Sequence, residues 1–148
     1  MEPQVQWIQS GVALLQPMMA LVIWSMVVWA WMYATRLPAI SAMKMKLDPT
    51  APSGTQMAQL PAKVRWKADN YNHLMEQPTL FYAVTLALCF LNQASELAVV
   101  AAWSYVVLRI IHSLFQALFN IIQVRFVLFI LSNIPLMIMI YLTASRVF

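Results

Sequence analysis

Charge is what this chain has least of. Of its 148 residues only 9% are charged, while 62% are hydrophobic and the mean hydropathy is +0.71; a soluble domain carries about 25% charged residues. Such a chain is expected to be an integral membrane protein, with a length that suits one domain over residues 1–148. Glycine is nearly absent too, at two residues, so helices fit better than a glycine-punctuated barrel. The single cysteine, Cys89, excludes an internal disulfide. It lies deep in an apolar run, where it reads as a small buried hydrophobe rather than a nucleophile. No basic segment precedes the first apolar run, which is far too long for a signal peptide and is expected to remain in the mature protein. There is no internal repeat or low-complexity tract, no support for a serine or cysteine triad, and nothing that would engage nucleic acid.

What the chain does have is four apolar runs, which predict an all-α bundle of four transmembrane helices. No charge occurs from Pro3 to Thr35, so a first spanning helix is expected over about 4–35, with Pro17 kinking it or sitting near a turn. Trp7 at one end and Trp29, Trp31 and Tyr33 at the other suit interfacial belts, and Arg36 and Pro38 should close the segment. Residues 37–60 form a proline-rich loop, long enough for a short surface helix around Ile40–Lys46. A second helix over 61–92 opens at Pro61, carries Lys63, Arg65 and Lys67 in its first turns, and should bend at Pro78. A third is expected over 97–123 and a fourth over 126–146, the last kinked at Pro135. The first loop and its flanks hold Arg36, Lys44, Lys46, Lys63, Arg65 and Lys67, and the third loop holds Arg125, whereas the second loop has only Glu96 and the N-terminus only Glu2. The positive-inside rule puts loops one and three in the cytoplasm and both termini outside, with Arg146 the one exception.

The stretch Ala68–Tyr82 breaks the pattern. It carries Asp69, Asn70, Asn72, His73, Glu76 and Gln77 at the mouth of an apolar segment, where ionisable groups are expensive. Asp69, His73 and Glu76 share one helical face. Arg109, His112, Ser113, Gln116, Asn120 and Gln123 keep helical spacing on the third helix. Counted from the short turn between the two helices, Glu76 lies about as deep as His112 and Ser113, roughly 23 Å in. Asn72 and His73 match Gln116 and Ala117, and Asp69 matches Asn120. Lipid satisfies none of these groups, so they must face protein or a water-filled cleft. The plain alternative is structural glue, with Glu76 neutralising Arg109 across the helix pair. Asp69, His73, Glu76 and His112 are ligand types for a metal, but with two histidines and no second acid from the third helix, no metal site is expected.

Two motifs carry a resemblance. His73-Leu-Met-Glu76-Gln-Pro78-Thr-Leu-Phe81 is similar to the Asn-x-x-Glu followed by proline and phenylalanine found on helix two of the membrane-associated proteins in eicosanoid and glutathione metabolism, the MAPEG family. Arg109-Ile-Ile-His112-Ser-Leu-Phe-Gln116 resembles that family's Arg-x-x-His-x-x-x-Tyr on helix three. Arg125 falls where the microsomal prostaglandin synthase has the arginine that opens helix four. The run from Asn70 to Tyr82 looks closest to bacterial members of undefined activity. His73 stands where the family has asparagine, Asp69 where it has arginine, Gln116 where it has tyrosine, and Phe126 where it can have serine.

The resemblance implies a homotrimer in a bacterial inner membrane, surrounded by lipid, with glutathione as co-substrate bound between subunits near the cytoplasmic face. Glu76 would hold the glutathione amino end, Arg36 and Arg65 its carboxylates, and Arg125 would stabilise the thiolate as the catalytic group. Arg109 would be structural or a ligand contact, with His73, His112 and Gln116 in the pocket. The implied function is a glutathione-dependent transferase or peroxidase acting on a lipophilic electrophile, from a polar cleft between helices two and three. The alternatives are a non-catalytic accessory subunit of a larger membrane complex that keeps the scaffold, or a lipid- or quinone-binding protein.

Overall fold

The computed structural model describes residues 3–148, with side chains described from Gly11 onward; Glu2 and the Trp7 side chain, assigned above to one end of the bundle, lie outside the described residues. The chain folds as α1 (Pro3–Ala42), a 3₁₀ turn (Met57–Gln59), α2 (Ala62–Glu76), α3 (Pro78–Phe90), α4 (Glu96–Leu118) and α5 (Ile122–Val147). No strand occurs among the described residues. Three helices are long and apolar enough to cross a membrane: Gly11–Ala42, Glu96–Leu118 and Ile122–Val147. The expected second helix is divided at Pro78 into α2 and α3, each shorter than a bilayer requires.

That division is local. Gln77 keeps helical dihedrals, φ −63° and ψ −36°. Proline supplies no N–H for the Leu74 carbonyl, so one rung of the ladder is missing while the backbone path continues. Burial confirms the continuity: Asn70, Leu74, Pro78, Phe81, Thr85 and Leu88 are buried at spacings of three and four, with no phase jump across the proline. The same spacing on α1 buries Leu14, Pro17, Leu21, Ser25, Val28 and Met32. These two seams close on α4, whose buried face is wider and includes Ala98, Ala101, Ala102, Tyr105 and Val106, while Leu136 and Met139 come from α5. The Phe81 and Tyr105 rings stack with centroids 4.6 Å apart. In lipid such packing acts through dispersion and small-residue close approach rather than through water exclusion.

Helix ends show how a glycine-poor chain stops its helices. α1 runs through Pro38 to Ala42, beyond the expected stop near residue 35, because Pro38 deprives only the Ala34 carbonyl of its amide partner and the helix loses one bond, not its path; Ile40–Ala42, assigned above to a separate surface helix, complete α1. Lys44 then takes a left-handed φ of 49°, and the amides of Lys44 and Met45 bond back to Ser41 and Ile40. α3 ends the same way on Asn92, φ 52°, with the amides of Asn92 and Gln93 returned to Cys89 and Leu88. Asn120, φ 53°, ends α4 at Leu118, several residues before the expected limit of 123, so that α5 begins at Ile122. Asparagine is the residue after glycine best suited to this conformation. α4 starts on Ser95, whose hydroxyl accepts from the Ala98 amide at 3.2 Å, with Glu96 in the first turn.

The loop after α1 is ordered by its own side chains. Asp48 Oδ1 accepts from the Thr50 amide at 2.8 Å and the Thr50 hydroxyl at 2.6 Å. Gln56 reaches back to accept from the Asp48 amide at 3.3 Å. The two Thr50 bonds hold the Asp48 carboxyl below its usual range. A depressed carboxyl contributes order above its ordinary value, about 3.9, and loses it as pH falls through the lower folded value. Protection of the Thr50 amide in hydrogen exchange should therefore persist to about pH 4 and fall below it, and Asp48→Asn should remove that acid dependence. In the core, Ser113→Ala deletes the acceptor shared by Trp24 and Asn70. It should lower unfolding free energy in detergent by about 1 kcal/mol, in the range of measured interhelical hydrogen bonds in membranes.

Candidate functional site

Polar side chains gather where α2 crosses α4. Ser113 is the first node: its hydroxyl accepts from Asn70 Nδ2 at 2.8 Å and from Trp24 Nε1 at 3.0 Å, tying α1, α2 and α4 together. Arg109 is the second. It is fully buried, yet no carboxylate pairs with it among the described residues. Its Nη2 donates to the His73 carbonyl at 3.1 Å and its Nη1 to Gln77 Oε1 at 3.3 Å, and the guanidinium lies 5.8 Å from the Phe129 ring centroid. Gln77 Nε2 in turn donates to Asn133 Oδ1, and Asn133 Nδ2 to the Phe129 carbonyl at 2.8 Å. A buried charge is thus dispersed over a carbonyl, two amides and an aromatic face, at the turn where Pro78 interrupts the ladder.

The third node holds the imidazoles. The His73 and His112 rings lie 5.0 Å apart and both approach Phe129. They line a cavity of about 230 Å³ with Ile122, Arg125, Phe126 and Phe129. Arg125 stands in the first turn of α5 and donates through Nη1 to Asn120 Oδ1 at 2.5 Å, so the left-handed asparagine that ends α4 also anchors this arginine. On its other side His73 Nδ1 lies 3.3 Å from Glu76 Oε2. His112 is 2% exposed, the His73 side chain 25% and the Glu76 side chain 69%. The three run from the buried wall of an open pocket to the surface.

A second cavity, of about 400 Å³, lies on another face of α2 under the first loop. Arg36, Arg65, Asp69 and Asn72 line it, with Gly54 and Met57 above. Arg36 and Arg65 make no ion pair among the described residues.

These positions revise the level-by-level matching of helices. His112 meets His73 rather than Glu76, and Ser113 meets Asn70, a slip of about one turn toward the connecting loop. The cause is the short link between Phe90 and Glu96, whose αL asparagine and serine cap move the midpoint of the turn. Glu76 makes no ion pair with Arg109, whose two terminal nitrogens are taken by Gln77 and the His73 carbonyl; the carboxylate turns outward with Asp69 and Asn72, which are exposed on the same face. The proposed cleft between the second and third expected helices is filled at this level, and the open space needs α5 to complete it. Gln116 is buried with its Oε1 unpartnered among the described residues, and lines neither cavity. Of the eight residues singled out by sequence, His73, His112 and Arg125 meet in one cavity, with Glu76 at its rim; Arg36 and Arg65 meet in the other; Arg109 braces the helix crossing. Among the described residues no group of three histidine, cysteine, aspartate or glutamate side chains converges on a metal position.

Sequence reasoning gave no role to Gln77, Asn133 or Phe129. The signal for the first two was present: each is an amide in an otherwise apolar stretch beside a proline, Pro78 or Pro135. Phe129 carries no such mark, since a phenylalanine in a spanning helix looks like any lipid-facing residue.

The model of the MAPEG family matches residues 14–145, nearly the whole chain. No curated protein and no solved structure matches it.

The Asn120 turn can be dissected by two substitutions. Asn120→Gly keeps the left-handed backbone and removes only the partner of Arg125, whereas Asn120→Ala removes both. Chemical unfolding in detergent should place the alanine variant about 1–2 kcal/mol below the glycine variant, the strain of a Cβ in that conformation.

Proposed function

The chain belongs to the MAPEG family of membrane proteins, and on that premise we propose that it binds glutathione and joins its sulfur to a lipophilic electrophile, or uses it to reduce one. The observation that carries this reading is the cavity where Arg125 and two imidazoles meet at the head of α5. A cation beside a thiol favours the thiolate, and the thiolate is the nucleophile. Sulfur then forms its bond to the electrophilic carbon while the leaving group departs with its electron pair. Arg125 is the catalytic cation in this reading. Glu76 at the rim is placed to take the ammonium end of the tripeptide, and His112 and His73 shape the walls. Arg36 and Arg65 are the cations for its carboxylates, reached from the other side of α2.

The architecture that goes with this function has α2 and α3 together as a second span, giving four. Arg65, Asp69, Asn72 and Glu76 lie exposed along one stripe of α2. Lipid does not satisfy such a stripe, and a homotrimer in which α2 faces neighbouring copies would cover it. The cavities on two sides of α2 would then be completed by different subunits, which reconciles their separation within one chain. The basic end, with Arg36, Lys63, Arg65 and Arg125, faces the cytoplasm of a bacterial inner membrane in this arrangement.

A lipid- or quinone-binding role is the second reading. It has one observation in its favour, an apolar groove of about 350 Å³ between α4 and α5, lined by Leu97, Val100, Leu108, Leu131, Ile134 and Ile138.

Titration of the purified protein with glutathione separates the two. Arg125→Ala should weaken binding at least tenfold, about 1.4 kcal/mol. No binding at millimolar glutathione, with lipid or quinone retained through purification, overturns the transferase reading in favour of the second.

A further inference from the structure

We propose that His73 is the base that removes the thiol proton, with Glu76 as the positioning residue that sets its tautomer. The assignment rests on the glutathione reading above and adds to it a specific base.

Geometry selects His73 over its neighbour. Its Nδ1 lies 3.3 Å from Glu76 Oε2. A carboxylate only accepts, so that contact puts the ring hydrogen on Nδ1 and leaves Nε2 with the lone pair. The ring also lines the cavity that contains Arg125. His112 shares the cavity but is 2% exposed, lies against His73 and Phe129, and has no carboxylate beside it to fix its tautomer. The charged and titratable groups facing His73 are Glu76 from α2, Arg109 and His112 from α4, and Arg125 from α5. Arg109 is held by the His73 carbonyl and Gln77, which leaves Arg125 as the cation open to the cavity.

The step balances without an outside reagent. The S–H bond breaks, its proton bonds to His73 Nε2, and the electron pair stays on sulfur beside Arg125. Sulfur forms the new bond to carbon as the leaving group departs with its pair. The imidazolium then gives its Nε2 proton to the departing leaving group or to water, while Glu76 keeps the hydrogen on Nδ1, and the starting tautomer is restored.

A proton count tests this. Glutathione is added to the intact, detergent-purified protein while the ultraviolet thiolate absorbance is read. Calorimetry in buffers of different protonation enthalpy gives the protons released. In the wild type the thiolate should form with no net proton released, because His73 keeps it. In His73→Gln each thiolate formed should release about one proton, and turnover of a model electrophile should fall about 10²-fold, the usual contribution of a general base. Glu76→Gln removes the carboxylate that fixes the tautomer and, on the reading above, weakens the hold on the ammonium group; at saturating glutathione it should still shift the acid limb of the kcat profile, an effect that weaker binding or loss of packing alone would not produce. Release of about one proton per thiolate by the wild type overturns the base assignment and leaves Arg125 acting alone. Absence of any thiolate band in the wild type overturns the glutathione reading and the base with it. Should His73→Gln fail to fold, the wild-type count still decides.

Discussion

A guanidinium buried without a carboxylate is the constraint around which this molecule is arranged. Arg109 makes no ion pair among the described residues, so it is surrounded by dipoles, and these come from α2, from the residue that joins α2 to α3, and from α5. α2 gives the His73 carbonyl, its junction with α3 gives the Gln77 amide, and α5 gives Asn133 through Gln77 and the ring of Phe129. Each of these is useful only in one relative position of the helices. An apolar seam such as Leu74, Phe81 and Leu88 against Ala98, Ala102 and Tyr105 tolerates sliding at small loss, because one methyl contact replaces another. The arginine network does not, since every slipped position leaves a buried polar group unsatisfied. Position along the helix axes is therefore fixed by Arg109 and by Ser113 one turn below, and the cavity takes its shape from them.

The two imidazoles and Arg125 follow from that arrangement. His73 is held through its own carbonyl, so its ring has little choice but to lie against His112. Arg125 is held by Asn120, the residue that stops α4. One asparagine thus sets both the length of a helix and the place of a cation. The cavity is a by-product of helix packing and helix termination, with few groups devoted to it alone.

How much of this could be seen in the sequence depends on the type of signal. The apolar runs, the proline interruption at residue 78 and the pairing of His73, His112 and Arg125 in one family pattern were all legible, because hydropathy and motif spacing are local properties. The slip of about one turn between α2 and α4 was not. Counting residues from a loop assumes where the loop turns, and the αL conformation of Asn92 moved that point. Nor was the outward direction of Glu76, for a helical stripe that includes Asp69, His73 and Glu76 is wide enough for one edge to face inward and the other to face away. The overrun of α1 past Pro38 has the same origin: proline forbids one hydrogen bond, and sequence alone does not say whether neighbouring turns hold the helix together regardless. The separation of Arg36 and Arg65 from Arg125 depends on tertiary placement alone.

The missing rung at Leu74 gives the long broken helix unequal halves. Arg109 spans that gap from outside, donating to the His73 carbonyl on one side and to the Gln77 side chain on the other. Beyond the proline, Phe81, Thr85 and Leu88 stay buried on the same face as Asn70 and Leu74. A splint borrowed from a neighbouring helix thus stands where the ladder lost a rung.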